Sequence, residues 1–132
     1  MPDGNTGIGA AVNRKEDGRF LMGKGRFTDD INRPNQTFAY FLRSSVAHAK
    51  INSVDTSAAA AAEGVVAVYT NGDMEGVGGL PCGWLLTFQN GDPMVEPPHP
   101  ILAENKVRHV GDPIAVAIAE TKKQAKAAAA LP

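Results

Sequence analysis

The clearest hydrophobic pattern of the chain lies near its end, where large and small apolar residues alternate. In the run Ile114-Ala115-Val116-Ala117-Ile118-Ala119 neither set includes a polar residue. The pattern therefore predicts a strand whose large and small side chains are both buried, with a helix covering one face. Before it, Gly111-Asp112-Pro113 predicts a tight turn. We expect residues 106–110 and 114–119 to pair across that turn as the last two strands.

Further strands are predicted earlier in the chain. Alternation over residues 37–43 places Phe38, Tyr40 and Leu42 on one face of a strand. Residues 65–70 are rich in β-branched side chains and also predict a strand. Shorter strands are expected at residues 49–54 and, bent by glycines, at residues 23–31.

Two Ala-rich segments predict short helices. Asp55 can cap a helix over residues 56–63, and Gly64 can end it in a left-handed conformation. Thr121 and Gln124 form a capping-box pattern in which each is expected to satisfy the other's backbone donor, at the start of a second helix over 122–130. Helices that return the chain between strands favour an α+β fold with a mixed sheet.

Residues 71–100 lack a sustained hydrophobic period and hold much of the glycine and proline. They predict a long irregular excursion, which in compact domains is often functional. Inside it lies an apolar cluster, Trp84, Leu85, Leu86 and Phe88. The cluster is either a local mini-core under the loop or a docking patch for other domains. We therefore expect an N-terminal arm over residues 1–18 and one domain over residues 19–132.

Composition narrows the class of protein. Thirteen basic and fourteen acidic residues give a net charge of −1, which predicts no broad attraction to nucleic acid or to an anionic membrane. One cysteine, Cys82, fits a reducing compartment such as the cytoplasm. We see no signal peptide, and no stretch approaches the roughly 20 apolar residues of a membrane span.

Residues that could carry chemistry have simpler structural roles. His48, His99 and His109 lack the spacing of a zinc site. We expect His48 to make a structural hydrogen bond. His99 is expected to be solvated in a loop, and His109 to pack in a strand. Adjacent carboxylates, Asp29-Asp30 and Glu16-Asp17, would point apart on a strand, so cap or turn roles are expected.

The glycine-rich segments and the cysteine are also expected to be structural. Gly7-Ile8-Gly9 and Gly23-Lys24-Gly25 lack the strand and spacing of a phosphate-binding loop. Cys82 has no basic neighbour in the sequence that would lower the pKa of its thiol, and we expect an inert loop cysteine. No catalytic, cofactor-binding or metal-binding residue is therefore predicted in this chain.

Three blocks of sequence carry a family resemblance. They are residues 14–31, then Arg43-Ser44-Ser45-Val46-Ala47-His48-Ala49-Lys50-Ile51 with Gly64 to Thr70, and finally residues 107–121. In this order they resemble the N-terminal α/β-hammerhead domain of molybdenum hydroxylase large subunits. Within that superfamily, which includes aldehyde oxidase and xanthine dehydrogenase, they are most similar to the aerobic carbon monoxide dehydrogenase large chain.

The resemblance implies an oxidoreductase whose active site lies in domains outside this sequence. It implies molybdopterin, in a dinucleotide form, in the later domains, and iron–sulfur clusters and FAD on partner subunits. Contacts from a glycine-rich segment to the cofactor would also come from those domains, so Gly76-Val77-Gly78-Gly79 is not assigned to it. By itself, the chain is expected to be an inactive scaffold and interface domain. The alternative is a free-standing interaction or binding module without redox chemistry.

Overall fold

The computed structural model describes residues 9–10 and 12–132. The chain divides into two compact units, residues 1–34 and residues 35–132. Residues 1–8 and 11 of the predicted N-terminal arm, which include Gly7 and Ile8 of the Gly7-Ile8-Gly9 segment, lie outside the described residues. The extent of that arm stays a prediction.

The unit of residues 35–132 is built on two small sheets and two short helices. Its elements, in chain order, are β1 (Phe38–Arg43), β2 (Ala49–Lys50), α2 (Ser57–Ala60), β3 (Val65–Thr70), a 3-10 helix (Asn71–Met74), β4 (Lys106–Val107), β5 (Pro113–Ala119) and α3 (Lys122–Ala128). A three-stranded sheet has the order β1-β5-β3, and β2 pairs with β4 in a second sheet. The predicted α+β fold class is confirmed. The sheets are, however, antiparallel at every pairing rather than mixed, because β5 runs opposite to both of its neighbours.

The alanines of β5 form the most deeply buried surface of the sheet. Ala115, Ala117 and Ala119 are each at most 1% exposed. Ala117 packs with Ala59 of α2 and with Ala128 at the end of α3. A methyl group on each of these elements lets the helix backbones lie close to the sheet, so the predicted helix cover on the alanine face is confirmed.

The large residues of β5 differ from the prediction. Ile114, Val116 and Ile118 are only half-buried, although both sets were expected to be buried. The reason is that both helices that pack on the sheet lie on the alanine side. The predicted alternation is therefore correct, and the predicted burial of the larger side chains is wrong for this chain.

The predicted pairing of residues 106–110 with 114–119 is also wrong. β4 pairs instead with β2, and β5 pairs with β1 and β3. Hydrogen bonds at the intervening turn explain the switch between sheets. The Asp112 carboxylate accepts the N–H of Arg108 at 2.8 Å, and the backbone of Asp112 accepts the N–H of Ser44 at 2.9 Å.

Ser44 completes this junction from the other side. The Gly111 N–H donates to the Ser44 carbonyl at 2.8 Å, and the Arg43 guanidinium donates to the Gly111 carbonyl at 2.9 Å. Ser44 and Asp112 are the two buried polar residues of the described chain. The junction thus fixes the start of β5 against the end of β1, where the register shifts.

The predicted helix over 56–63 is shorter than expected and has Ala61 as its C-cap, so Gly64 lies beyond its end. The Asp55 carboxylate accepts the N–H of Ser57 at 2.9 Å, and hydrogen bonding from Ser57 lowers the pKa of Asp55. Gly64 has φ +75°, as predicted for a left-handed stop. A Cβ at Gly64 would also meet the end of the flexible Gln124 side chain, which can shift, so the positive φ is the main reason that this position favours glycine.

At the start of α3 the capping box is half-formed. The Thr121 hydroxyl accepts the Gln124 N–H at 3.2 Å, as predicted. The Gln124 side chain accepts the Thr121 hydroxyl at 2.6 Å instead of a backbone N–H. The reciprocal backbone bond is therefore replaced by a contact between the two side chains.

The unit of residues 1–34 contains a short helix and a 3-10 turn among its described residues. They are α1 (Asp17–Leu21) and Thr28–Asp30. The strand predicted at 23–31 is wrong, because the Asp30 carboxylate accepts the Phe27 N–H at 2.9 Å and closes the turn. That bond confirms the capping role predicted for Asp30. Asp17 likewise accepts from the backbone and the guanidinium of Arg14.

Two of the predicted strands end early. The predicted strand at 49–54 is reduced to β2, after which a single bond from the Ile51 N–H to Asn105 continues the pairing. The predicted strand at 106–110 is reduced to β4, because the Asp112 carboxylate captures the Arg108 N–H. The strands predicted at 37–43 and 65–70 are confirmed.

We predict that Ala117→Asp prevents folding. The change would bury an unpaired carboxylate between the sheet and the helices, at a cost comparable with the stability of about 5–15 kcal/mol typical of a domain. Val66→Asp is the matched control, since Val66 is exposed on β3. Circular dichroism melting should show a transition for Val66→Asp and none for Ala117→Asp. A cooperative Ala117→Asp transition near the wild-type temperature would contradict the assigned core.

We also predict that Asp112→Ala destabilises the chain by about 1–3 kcal/mol, because the Arg108 N–H loses its acceptor. Asp112→Asn should lose less, since its amide oxygen can still accept that hydrogen bond. Asp92→Ala removes an exposed acceptor and should change the free energy of unfolding by less than about 0.5 kcal/mol. Urea denaturation compares the three. Equal effects of Asp112→Ala and Asp92→Ala would show that the junction does not stabilise the fold.

Candidate functional site

The excursion between the sheets is a doubled-back segment rather than a random loop. Between residues 75 and 105, all of which are described, the chain forms neither a helix nor a strand. Its two limbs are joined at the tip, where Phe88 donates its N–H to Asp92 at 2.8 Å and Met94 donates to Leu86 at 3.0 Å. Nearer the base, Leu80 donates to the His99 carbonyl at 2.8 Å. The predicted irregular excursion is confirmed and continues to β4.

A hydrogen-bonded turn fixes the start of the excursion to β3. The Asp73 carboxylate accepts the Thr70 N–H at 2.7 Å and the Thr70 hydroxyl at 2.9 Å. These bonds favour the ionised carboxylate and lower the pKa of Asp73, the backbone bond contributing most. The excursion therefore leaves the sheet in a defined direction.

The four apolar residues singled out in the sequence lie exposed on this excursion. Trp84 is 76% exposed, Leu85 64%, and Leu86 and Phe88 59% each. A local mini-core would bury these side chains, so the structure does not provide one. We call these four residues the excursion patch. Exposed clusters of large apolar side chains commonly mark interaction surfaces.

A cavity of about 460 Å³ lies at the base of the excursion. Its walls are mainly apolar and include Leu80, Met94, Ala103 and four prolines, Pro81, Pro97, Pro98 and Pro100. None of the excursion-patch residues lines it. Its volume lies within the range of about 300–1,000 Å³ found for small-molecule sites.

The charged groups at the cavity are largely occupied by the fold itself. Glu96 accepts the Cys82 N–H at 2.8 Å, and Asp112 accepts the Arg108 N–H. His109 Nδ1 lies 3.8 Å from the Asp112 carboxylate. Both carboxylates thus accept hydrogen bonds from backbone N–H groups. The cavity wall contains these two carboxylates and one guanidinium, that of Arg108. This arrangement does not select a ligand of one charge.

The histidines predicted to be structural have different surroundings from those expected. His48 is exposed and, within the described part of the chain, its ring has no hydrogen-bond partner, so the predicted structural bond is wrong. His109 is also exposed and lies after β4, so the prediction that it packs inside a strand is wrong. His99 is exposed in the excursion, as predicted. Sequence alone did not place His99 and His109 on one cavity.

Cys82 is exposed, and its thiol donates to the Trp84 carbonyl at 3.4 Å. Among the described residues, no group of three or more His, Cys, Asp or Glu side chains has the arrangement of a metal site. Nor is any described helix both long and apolar enough to cross a membrane.

The glycine run at residues 76–79 is used for packing within the excursion. A Cβ on Gly79 would lie 2.8 Å from the His99 carbonyl oxygen, whereas a Cβ on Gly78 would meet nothing within 4 Å. Gly79 therefore allows one limb to approach the backbone of the other.

Several known proteins are similar to this chain over most of its length. Residues 22–131 match the family described as "Aldehyde oxidase and xanthine dehydrogenase, a/b hammerhead domain". The chain is 38% identical over 119 residues to the nicotine 6-hydroxylase large subunit of Paenarthrobacter nicotinovorans, covering 90% of this chain and 14% of that protein. It is 49% identical over 69 residues to the carbon monoxide dehydrogenase large chain of Afipia carboxidovorans, covering 52% of this chain and 8% of that protein.

Solved structures give the same result. Quinoline 2-oxidoreductase from Pseudomonas putida 86 superposes with a TM-score of 0.72 at 35% identity, over 91% of this chain and 15% of that chain. The Cu,Mo-CO dehydrogenase in its carbon monoxide reduced state superposes with a TM-score of 0.69 at 35% identity, over 95% and 15%. This chain therefore spans only a small part of the length of the proteins that it matches.

We predict that Gly79→Ala loosens the base of the excursion. The new methyl group would press on the His99 backbone, and overpacking of this kind costs about 1–3 kcal/mol. Exchange of the Leu80 amide hydrogen should accelerate, because its bond to His99 lies beside the clash. Gly78→Ala is the matched control, with open space at its Cβ. Unchanged Leu80 exchange in Gly79→Ala would contradict the assigned packing.

Proposed function

The chain belongs to the a/b hammerhead domain family of aldehyde oxidase and xanthine dehydrogenase, and we propose that it is a scaffold and docking domain of a molybdenum hydroxylase large subunit. In this proposal other domains of the large subunit hold molybdopterin and the substrate. This domain presents surfaces on which they assemble, and by itself has no redox activity. Iron–sulfur and flavin subunits complete the enzyme in the cytoplasm.

The observation that supports this proposal most directly is the excursion patch. Four large apolar side chains stand exposed at one end of an excursion whose limbs are held by backbone bonds. Exposing them to water is unfavourable, whereas burying them against a partner stabilises an assembly by roughly 25 cal/mol per Å² of apolar surface. A rigid base with an apolar tip is suited to insertion between neighbouring domains.

The share of each relative that is matched supports the same proposal. The aligned region covers 14% of the nicotine 6-hydroxylase large subunit and 15% of the quinoline 2-oxidoreductase chain. Most of the length of those proteins thus lies outside the matched domain and is available to build an active site. The packing of Gly79 against His99 is consistent with a structural use of this domain's own glycines.

We predict that the excursion patch carries docking. The partner is the rest of the nicotine 6-hydroxylase large subunit, produced without its own matching domain and mixed with this chain. Trp84→Ser with Leu85→Ser should weaken binding at least tenfold, as expected when central apolar contacts worth about 2 kcal/mol are removed. Val95→Ser is the matched control, because Val95 is an apolar residue of the same excursion outside the patch and is 81% exposed.

Hydrogen exchange provides a second measurement on the same mixture. In the isolated chain, exchange at residues 84–88 should be faster than in β3 and β5, where ladder bonds protect the amides. Assembly should slow exchange at residues 84–88. Wild-type binding without protection there would contradict the docking role of the patch. A chain that does not bind the rest of the large subunit would favour the free-standing module instead.

A further inference from the structure

The three-stranded sheet has a second face that differs from the alanine face. Residues paired across neighbouring strands lie on the same face. The pairs Phe41–Val116, Ala39–Ile118, Tyr69–Val116 and Ala67–Ile118 therefore place one set of side chains together. By alternation, Ile114 belongs to the same set. We call this surface the open face; its residues are Ala39, Phe41, Ala67, Tyr69, Ile114, Val116 and Ile118.

Neither α2 nor α3 covers the open face. α2 and α3 both pack on the opposite side, against the alanines of β5. On the two outer strands, Phe41 is 38% exposed and Tyr69 is 39% exposed. The large residues of the central strand are half-buried, with water still reaching part of their surface.

The chemistry of the open face restricts what can cover it. None of its residues is charged, and the Tyr69 hydroxyl is its one polar side-chain group. At one end, Arg43 lies over the Phe41 ring at 5.3 Å and donates to Gly111, so its guanidinium is already engaged. A central strand without any polar residue is typical of sheets covered on both faces. The cover must therefore be apolar.

We infer that the open face is covered by an apolar segment from the rest of the large-subunit chain. This inference rests on the proposed function. The relatives that this chain matches are much longer, since this chain covers 14% of the nicotine 6-hydroxylase large subunit. Their additional length is sufficient to contain such a segment. The open face shares no residue with the excursion patch, so the domain has two separate docking surfaces. One is the tip of the excursion, and the other is the sheet.

Adjacent residues of β1 provide a matched pair for the test. Phe41 lies on the open face, whereas Tyr40 pairs with Ala117 on the alanine face, and both are 38% exposed. Phe41→Thr and Tyr40→Thr each replace an aromatic residue by a β-branched one that suits a strand. Circular dichroism melting of the isolated variants first establishes that both fold. Binding to the rest of the nicotine 6-hydroxylase large subunit is then measured by sedimentation.

We expect Phe41→Thr to bind at least tenfold more weakly than wild type, and Tyr40→Thr to bind within about twofold of wild type. Hydroxyl-radical labelling should show Phe41 and Tyr69 protected in the assembly. If Phe41→Thr fails to fold, Tyr69→Thr on β3 tests the same face. Wild-type binding by the open-face variants, with unchanged labelling of Phe41 and Tyr69, would overturn this inference and leave the excursion patch standing.

Two other outcomes separate this inference from the proposed function. If the wild-type chain does not bind the rest of the large subunit at all, the proposed function fails, and the inference fails with it. If the isolated chain forms a dimer that Phe41→Thr dissociates, a second copy covers the open face. That result would overturn the large-subunit segment as its occupant.

Discussion

The close approach of two short helices to the sheet is the constraint on which this fold depends. Ala117 of the central strand meets Ala59 and Ala128, and each contributes a single methyl group. Short helices have little stability of their own and need tertiary packing to persist. Small side chains on both partners bring the backbones close enough for such packing.

The cost of this arrangement is an asymmetric sheet. With both helices on the alanine side, the larger side chains of β5 are left with partial cover. The excursion repeats the asymmetry, since backbone bonds fix its limbs while the four residues of the excursion patch face water. A domain of a larger chain can retain such surfaces because they become buried on assembly. Under the proposed function, both features have the same explanation.

The junction between Ser44 and Asp112 connects these two regions. It anchors the first residues of β5, and Asp112 also lines the cavity below the excursion. Buried hydrogen bonds of the junction therefore hold the base of the excursion in place relative to the sheet. Leaving such bonds unmade is costly. Nothing in the residue types of Arg43-Ser44 or Gly111-Asp112 alone indicates that these segments meet, because they are far apart in the chain.

The sequence by itself determined the local elements. Alternation specified β1 and β5, β-branched content specified β3, and Asp55 and Thr121 marked helix starts, because these signals act over a few residues. The family was recognisable from three ordered blocks. Only the tertiary structure decided the partners. β4 joins β2 rather than β5, one face of β5 lacks a helix, and His99 and His109 share a cavity. Those outcomes depend on contacts between segments that are distant in the chain. A local sequence pattern does not show which of the possible contacts forms.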